Sequence, residues 1–272
     1  MIDGATSVSE RPNKVLADLS DAGWFARALS DEIRRLLRHG ELTKGALARA
    51  LSHLRRRFVH RAGPDLDHHD FPVAAMTYLR IARHGRRYAI DSLEFADCFH
   101  LQGPASRQRI GAGAFLPAPL PKLSLPQTGP IIDRMRQRRT TQVRDLASTA
   151  LTIDPASLDK GRRRREFAPA GSEIILGSDG YARLWTEYAL LTVPEAIDTT
   201  ARLGLLRVVH GLREWERANL GHGKAPKPAD DVTAMRLRLG APYARGSLRS
   251  DGSTLIWRVS PAGHVRPESL RI

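Results

Sequence analysis

The stretch DAGWFARALSDEIRRLLRHGELTKGALARALSHLRRRFVHRAG, from Asp21 to Gly63, contains two consecutive helical patterns. Between Asp21 and Arg38 the apolar residues recur three and four positions apart, which predicts an amphipathic helix that ends near Gly40. Thr43 is a suitable N-cap for a second helix, whose apolar residues again share one face. Two helices with a short connection resemble a helix-turn-helix in outline.

The sequence around this pair predicts further elements. A third helix is expected from Pro72 to Gly85, because proline is favoured at the first position of a helix and glycine just after its last. A short strand is expected from Tyr88 to Phe95. Residues 103–130 include ten glycines or prolines, which predicts a linker. We therefore expect three parts: a helical basic domain at 1–102, a Pro/Gly-rich linker at 103–130 and an α+β domain at 131–272.

The predicted α+β domain begins with a helix from Pro130 to about Leu151, followed by a charged loop at 159–165. Ser178-Asp179-Gly180 precedes Trp185 by the same offset at which Ser250-Asp251-Gly252 precedes Trp257. Asp-Gly favours tight turns, so we expect two β-hairpins, the first pairing 174–176 with 182–185 and the second 247–249 with 255–259.

Three helices are expected between the two hairpins, near 194–203, 205–220 and 231–239. Helices followed by a hairpin are typical of a winged helix. Plain hairpins in a mixed α+β domain are the alternative.

Arginine dominates the charge of the chain. Of 43 basic residues only six are lysine, the net charge is +14 and the sequence pI is about 10.8. A guanidinium binds phosphate bidentately, so this excess points to a polyanionic partner. Codon usage in a high-GC genome explains the arginine-to-lysine ratio equally well, but it does not explain the net charge.

We therefore predict a nucleic-acid-binding protein, non-catalytic or regulatory, of a plasmid, phage or defence-system type, with DNA favoured over RNA and without a cofactor. A basic subunit that binds other protein subunits of a larger complex is an alternative. The predicted phosphate contacts lie on the second helix, on the helix after the linker and in the charged loop. They are Arg55, Arg56, Arg57, Arg134, Arg138, Arg139, Arg162, Arg163, Arg164 and Arg165.

A second polar cluster lies between the second and third predicted helices. Asp65, Asp67, His68, His69 and Asp70 fall within six residues, and carboxylates with imidazoles suit a divalent metal. Asp67, His68 and His69 are thus candidate ligands, and this triplet resembles the signature of a phosphoesterase family. That family also has upstream aspartates in a strand-loop context, which the sequence does not indicate here. A solvated loop, without metal, is the default interpretation.

One further resemblance spans Leu116 to Gly171. Its elements are a Pro-rich lead, Arg138-Arg139-Thr140, Leu151-Thr152 and Pro169-Ala170-Gly171. This order resembles the opening of nitroreductase-like flavin dehydrogenases from azole-peptide biosynthesis, which have Pro-Ser-Gly-Gly at the last position. The resemblance implies a degenerate flavin-binding protein in which the arginines hold the flavin phosphate.

The remaining features concern the compartment. The sequence has no run of 18 apolar residues and no apolar segment near its start, so neither a membrane span nor a secretory signal is expected. Its one cysteine, Cys98, excludes an internal disulfide. We expect a cytoplasmic protein without a membrane partner.

Overall fold

The structure, a computed structural model, describes residues 1–11, 14–38, 40, 42–105, 129–146, 148–219, 232–240, 253–259 and 265–271, the last two ranges by their backbone alone. These residues form six α-helices and two antiparallel five-stranded sheets, which confirms the α+β class. No helix among them is both long enough and apolar enough to cross a membrane.

The elements follow in chain order. They are β1 Ile2–Gly4, α1 Asp21–Arg38, α2 Lys44–Ala62, β2 Val73–His84, β3 Arg87–Phe95, β4 Phe99–Ala105, α3 Gly129–Arg144, β5 Leu151–Thr152, β6 Arg162–Pro169, β7 Ser172–Gly177, α4 Asp179–Thr186, α5 Val193–Leu203, α6 Leu205–Asn219, β8 Val232–Arg238, β9 Ser253–Val259 and β10 Val265–Arg271. Short 3-10 turns occur at His68–Asp70 and Pro155–Lys160.

The chain divides into two compact units, each built from three sequence segments. Unit 1 comprises Met1–Tyr78, Ser92–Cys98 and Pro126–Arg163, and unit 2 comprises Leu79–Asp91, Phe99–Leu125 and Arg164–Ile272. The three-part division at 103 and 130 stays a prediction, because most of the expected linker, residues 106–128, lies outside the described residues. Residues 103–105 belong to β4 and residues 129 and 130 open α3.

The predicted helix pair is present in unit 1. The side-chain oxygen of Thr43 accepts a hydrogen bond from the Ala46 amide, as an N-cap does, and Gly63 ends α2 with a φ of 93°. Apolar residues of both helices share one core. It includes Trp24, Phe25, Leu29, Leu47, Leu51, Leu54 and Phe58. The amphipathic patterns therefore predicted both helices correctly.

The predicted helix from Pro72 to Gly85 is wrong, because these residues form β2. The side chains of Val73 to Thr77 are all buried, so both faces of the strand are covered there and no alternation marks it. Gly85 lies in the turn between β2 and β3 with a φ of 62°, a conformation that glycine adopts without strain. The predicted strand at Tyr88–Phe95 is confirmed as β3.

Three expectations for the second half are also wrong. Ser178 is the N-cap of α4, so the Asp-Gly pair begins a helix, and residues 174–176 pair with β4 and β8 instead of 182–185. Residues 231–239, expected as helical, contain strand β8, and the expected charged loop contains β6. The second expected hairpin falls partly outside the described residues, but 253–259 form β9, which pairs with β10 and β8.

The helices expected near 194–203 and 205–220 are confirmed as α5 and α6. A capping box starts α5, in which Thr192 and Glu195 satisfy each other's backbone amides. These helices and α4 provide the apolar core of unit 2. It includes Tyr181, Leu184, Ile197, Val208, Val209 and Leu212. In the second sheet, ordered β10-β9-β8-β7-β4, every residue of β7 is buried.

Strand β1, the first strand of unit 1, is held against β2 by hydrogen bonds that begin at Met1. The amino group of Met1 donates to the Thr77 carbonyl at 2.7 Å, and Asp3 pairs with Ala75 of β2. A Cβ atom on Gly4 would lie 2.6 Å from the Ala22 carbonyl oxygen and 3.2 Å from the Gly23 amide nitrogen, both in the first turn of α1. Only glycine allows β1 and α1 to approach this closely.

We expect Gly4→Ala to lower the free energy of unfolding by about 1–3 kcal/mol, because the added methyl group meets backbone atoms that cannot move aside. The matched control is Gly45→Ala, on the exposed surface of α2, where an added Cβ meets only the flexible Arg49 side chain at 3.7 Å. Urea unfolding of both variants measures the difference. Equal stability of Gly4→Ala and wild type would contradict the close approach.

Candidate functional site

The loop that follows β1 is held by two arginines of α3. Arg139 Nη2 donates to the Thr6 carbonyl at 3.0 Å, and Arg136 Nε donates to the Val8 carbonyl at 3.0 Å. Arg136 also pairs with Glu10 at 3.4 Å and with Asp133 at 3.8 Å. Residues 5–11 of this loop, all of which the structure describes, are therefore held by side-chain contacts although they form no helix or strand.

Lys14 forms the centre of a second anchor on the same loop. Its Nζ lies 2.9 Å from Asp70 Oδ1 and 3.6 Å from Asp21 Oδ2, and it donates to the Arg11 carbonyl and to Ser9 Oγ. The side chains of Lys14 and Asp21 are 4% and 2% exposed, so this ion cluster is buried. We call Lys14, Asp21 and Asp70 the buried ion cluster.

The two carboxylates of the buried ion cluster have opposite pKa shifts. Burial raises the pKa of Asp21, against the opposing effects of the Val15 and Lys14 amides and the Lys14 ammonium. Burial also opposes ionisation of Asp70, but hydrogen bonds from Ser9, Lys14 and the Asp67 amide outweigh it and lower the pKa of Asp70. The contacts of Asp70 therefore stabilise its ionised form.

Ser9 next to Lys14 has the residue types of a nucleophile and its base. The Lys14 ammonium, however, donates to Asp70 and has Asp21 as its second counter-ion, so it has no lone pair with which to accept the Ser9 proton. Ser9 Oγ itself donates to Asp70 Oδ1 at 2.5 Å. The arrangement anchors the loop and is not a catalytic dyad.

The metal candidates partly come together. Ligand atoms of Asp67, His69 and Asp70 lie within 4.8 Å of one another, whereas His68 is outside this group. Both carboxylate oxygens of Asp70 already accept hydrogen bonds. One accepts from Lys14, and the other accepts from the Asp67 amide at 3.0 Å. Lys14 supplies the positive charge that a metal would bring, which favours the solvated-loop interpretation of this cluster.

The arginines expected on α2 have intramolecular partners. Arg55 pairs with Asp154 and lies over the Phe71 ring, and Arg57 lies over the Trp24 ring at 5.9 Å. Like Arg56, both remain exposed. Two of the three exposed side chains therefore have an intramolecular partner within unit 1.

The second group of predicted arginines is split among different surroundings. Arg134 and Arg138 are exposed on α3, whereas Arg139 is 7% exposed. Arg162 to Arg165 lie on β6, where neighbouring side chains point to opposite faces. The first and the last arginine of this run pair with acids of β3. In unit 1, Arg162 lies 3.7 Å from Glu94, and in unit 2, Arg165 lies 2.5 Å from Asp91. These residues do not form the single charged loop that was expected.

Two other arginines of unit 2 are almost completely buried, and both are neutralised. Arg183 lies 3.2 Å from one Glu216 oxygen, and Arg213 lies 2.5 Å from the other. Glu187 adds a second acid 3.3 Å from Arg183. Both of these buried guanidinium groups therefore have a carboxylate beside them.

Each unit carries an Asp-Gly pair where a strand meets the first turn of a helix. In unit 1, Asp3 and Gly4 end β1 against the first turn of α1. In unit 2, Asp179 follows β7 and is the first residue of α4, and its Oδ1 accepts the Gly180 amide at 2.8 Å. Both aspartates are partly exposed, so solvent reaches them.

The strand end at Asp179 is held firmly. The Ser178 amide donates to the Thr233 carbonyl at 2.9 Å, and Ser178 Oγ accepts the Thr233 amide at 3.1 Å. Ser178 therefore extends the pairing of β7 with β8 up to the residue before the aspartate.

Comparisons with known proteins found similarity among solved structures. No protein-family model and no curated protein matches the sequence. A solved structure of a phosphatase from Toxoplasma gondii is similar over 99% of this chain and 82% of its own chain, at 10% identity and a TM-score of 0.43. A likeness at this level transfers no activity to the chain.

The predicted non-catalytic nucleic-acid-binding function is corrected. The described arginines differ from the expected interface, because several have acidic or aromatic partners and Arg139 is buried.

Sequence reasoning missed Lys14, Asp21, Asp3 and Asp179 as site residues. Asp3 gave no strand signal because β1 has only three residues, and Asp179 was interpreted as part of a turn. The contacts of Lys14 with Asp70 join residues 56 positions apart, which no local pattern indicates.

We expect Lys14→Met to lower the free energy of unfolding at pH 7 by about 3–5 kcal/mol, because it leaves two buried carboxylates without their cation. Lys44→Met is the control, since the Lys44–Asp159 pair is exposed and is worth at most about 1 kcal/mol. Urea unfolding at pH 7 compares the two variants.

The deficit of Lys14→Met should also depend on pH. The lowered pKa of Asp70 means that its ion pair stabilises the fold above the usual carboxyl pKa, and that this contribution is lost as the pH falls through the carboxyl range. Protonation of Asp70, which in the folded wild type requires a pH below its usual carboxyl pKa, should therefore bring the variant closer to wild type. A deficit that stays constant down to a pH at which Asp70 is protonated in the wild type would show that the loss comes from packing.

Proposed function

We propose that this protein is a metal-dependent phosphoester hydrolase in which Asp3 and Asp179 bind divalent cations. The observation that carries the proposal is the repeated Asp-Gly pair at a strand end: Asp3 lies in β1 beside Gly4, which contacts the first turn of α1, and Asp179 follows β7 and begins α4. In unit 2, the N-terminal turn of α4 stabilises negative charge and so supports an ionised carboxylate at Asp179.

The chemistry of these residues suits a hard cation. Carboxylate oxygens are the ligands that Mg²⁺ and similar ions prefer, and partial exposure lets an ion and its waters reach them. Such an ion, when bound, polarises a phosphoryl oxygen and lowers the pKa of a bound water. The chain's own part is to hold each carboxylate rigidly, through the close contact at Gly4 and through the bonds of Ser178 with Thr233.

The net charge and one buried side chain favour a phosphorylated substrate. A net charge of +14 attracts anions, and the guanidinium of Arg139 contacts the loop that continues from Asp3. Thr6, which Arg139 contacts, is three residues from Asp3, so their Cα atoms lie within about 11 Å. The similar solved structure is also that of a phosphatase, but the proposal rests on the residues of this chain.

Hydrolysis of p-nitrophenyl phosphate by the full chain, with Mn²⁺ or Mg²⁺ and with EDTA, tests the proposal. We expect a metal-dependent rate that Asp3→Asn reduces by more than about a hundredfold, since changing even the outer neighbours of a metal ligand costs up to about that much. Asp179→Asn tests the carboxylate of unit 2 separately. Asp31→Asn and Asp198→Asn are the matched controls, because these carboxylates are exposed and pair with arginines of their own helices. They should keep the wild-type rate.

Circular dichroism must show that the variants are folded. Absence of metal-dependent hydrolysis by wild type, for phosphate monoesters and for bis-p-nitrophenyl phosphate, would overturn the proposal. A full rate in Asp179→Asn would overturn the role assigned to that residue.

A further inference from the structure

Arg139 is the one buried residue of α3. The helix has four other arginines, at positions 134, 136, 138 and 144, and all of them have more solvent contact than Arg139, which is 7% exposed. Transfer of a guanidinium from water to the protein interior is unfavourable unless an opposite charge accompanies it. The position of this side chain therefore requires an explanation.

The contacts of Arg139 are with neutral groups. Its Nε donates to Gln142 Oε1 at 3.3 Å and its Nη2 donates to the Thr6 carbonyl at 3.0 Å. Across the described parts of the chain, no carboxylate lies within ion-pair distance of its guanidinium. The buried Arg183 and Arg213 differ, because both have Glu216 beside them.

The guanidinium remains charged under physiological conditions. Burial and the neighbouring Arg138 lower the pKa of Arg139 to about 10, which still leaves it protonated at neutral pH. A guanidinium has five N–H donors. The two hydrogen bonds to Gln142 and Thr6 leave the remaining N–H donors for another acceptor.

We propose that Arg139 binds an oxyanion, and specifically the phosphoryl group of a small phosphorylated ligand. The planar fork matches two oxygens of a phosphate, and a dianion also offsets the repulsion between Arg139 and Arg138. The identification of the anion as a phosphoryl group rests on the proposed function, whereas the anion site itself is inferred from the burial of Arg139 among neutral acceptors.

The geometry also assigns the loop after β1 a part in this site. Arg139 and Arg136 donate to carbonyls two residues apart in that loop, so the guanidinium of Arg139 and the backbone near Asp3 are held together. An anion at Arg139 is thereby brought to the loop that continues from β1, the strand that contains the carboxylate to which we assign the cation.

Calorimetric titration of inorganic phosphate into the full chain, in EDTA, tests the anion site without metal or catalysis. We expect wild type to bind phosphate and Arg139→Met to bind at least about tenfold more weakly, with Arg139→Lys in between because a lysine retains the charge without the fork. The control is Arg134→Met, which removes the same charge from the exposed face of α3 and should change the affinity less than about threefold. Titration with acetate and with sulfate distinguishes a phosphate site from a general anion site.

A second measurement uses wild type alone, in case Arg139→Met does not fold. In ¹⁵N NMR spectra the side-chain Nε resonance of Arg139, identified by its loss in Arg139→Lys, should shift on addition of phosphate, and that of Arg134 should not. Absence of phosphate binding, equal binding by wild type and Arg139→Met, or an unshifted Arg139 resonance would overturn the anion site. Equal or tighter binding of acetate would overturn its assignment to phosphoryl groups.

Different experimental results would overturn the hydrolase proposal and the anion-site proposal. Phosphate binding through Arg139 without any hydrolysis would overturn the hydrolase and leave the anion site. Hydrolysis with an unchanged KM in folded Arg139→Met would overturn the anion site and leave the hydrolase.

Discussion

The contact between Gly4 and the first turn of α1 determines the arrangement of unit 1. It brings the end of β1 within van der Waals distance of the Ala22 and Gly23 backbone, where no side chain fits. The chain then leaves β1 along a loop that Arg136, Arg139 and Lys14 hold in place. A short strand at the start of the chain would otherwise contribute little stability, so its position depends on these contacts with α1, α3 and the loop before β2.

Charge has two separate roles in this fold. Exposed pairs such as Lys44 with Asp159 contribute little to stability, because water and salt screen them. The buried ion cluster and the group around Glu216 are different, since removal of one partner leaves an uncompensated charge in the interior. A high content of arginine therefore does not by itself define a binding surface, and the partners of each guanidinium decide its role.

The sequence predicted those elements whose signals are local. Helices α1, α2, α5 and α6 combine an apolar face with caps such as Thr43 and Thr192, so pattern and capping agree. Strand β2 was mistaken for a helix, because a strand covered on both faces shows no alternation, and Pro72 is as compatible with the start of a strand as with that of a helix. Ser178-Asp179-Gly180 illustrates the same limit, since the residues that favour a tight turn also favour a helix N-terminus.

The candidate site was harder to predict because it depends on contacts between distant segments. Arg139 was recognised as a basic residue of α3, but its burial results from the loop at Thr6, which is 133 positions away in the sequence. Its neighbours Arg138 and Arg134 have the same chemistry and remain exposed. Residue type alone cannot separate a guanidinium that faces solvent from one that lies buried beside neutral groups, yet only the second has a charge that is offset neither by full hydration nor by a carboxylate of the fold. This difference in surroundings makes Arg139 the strongest candidate for anion binding among the arginines predicted from the sequence.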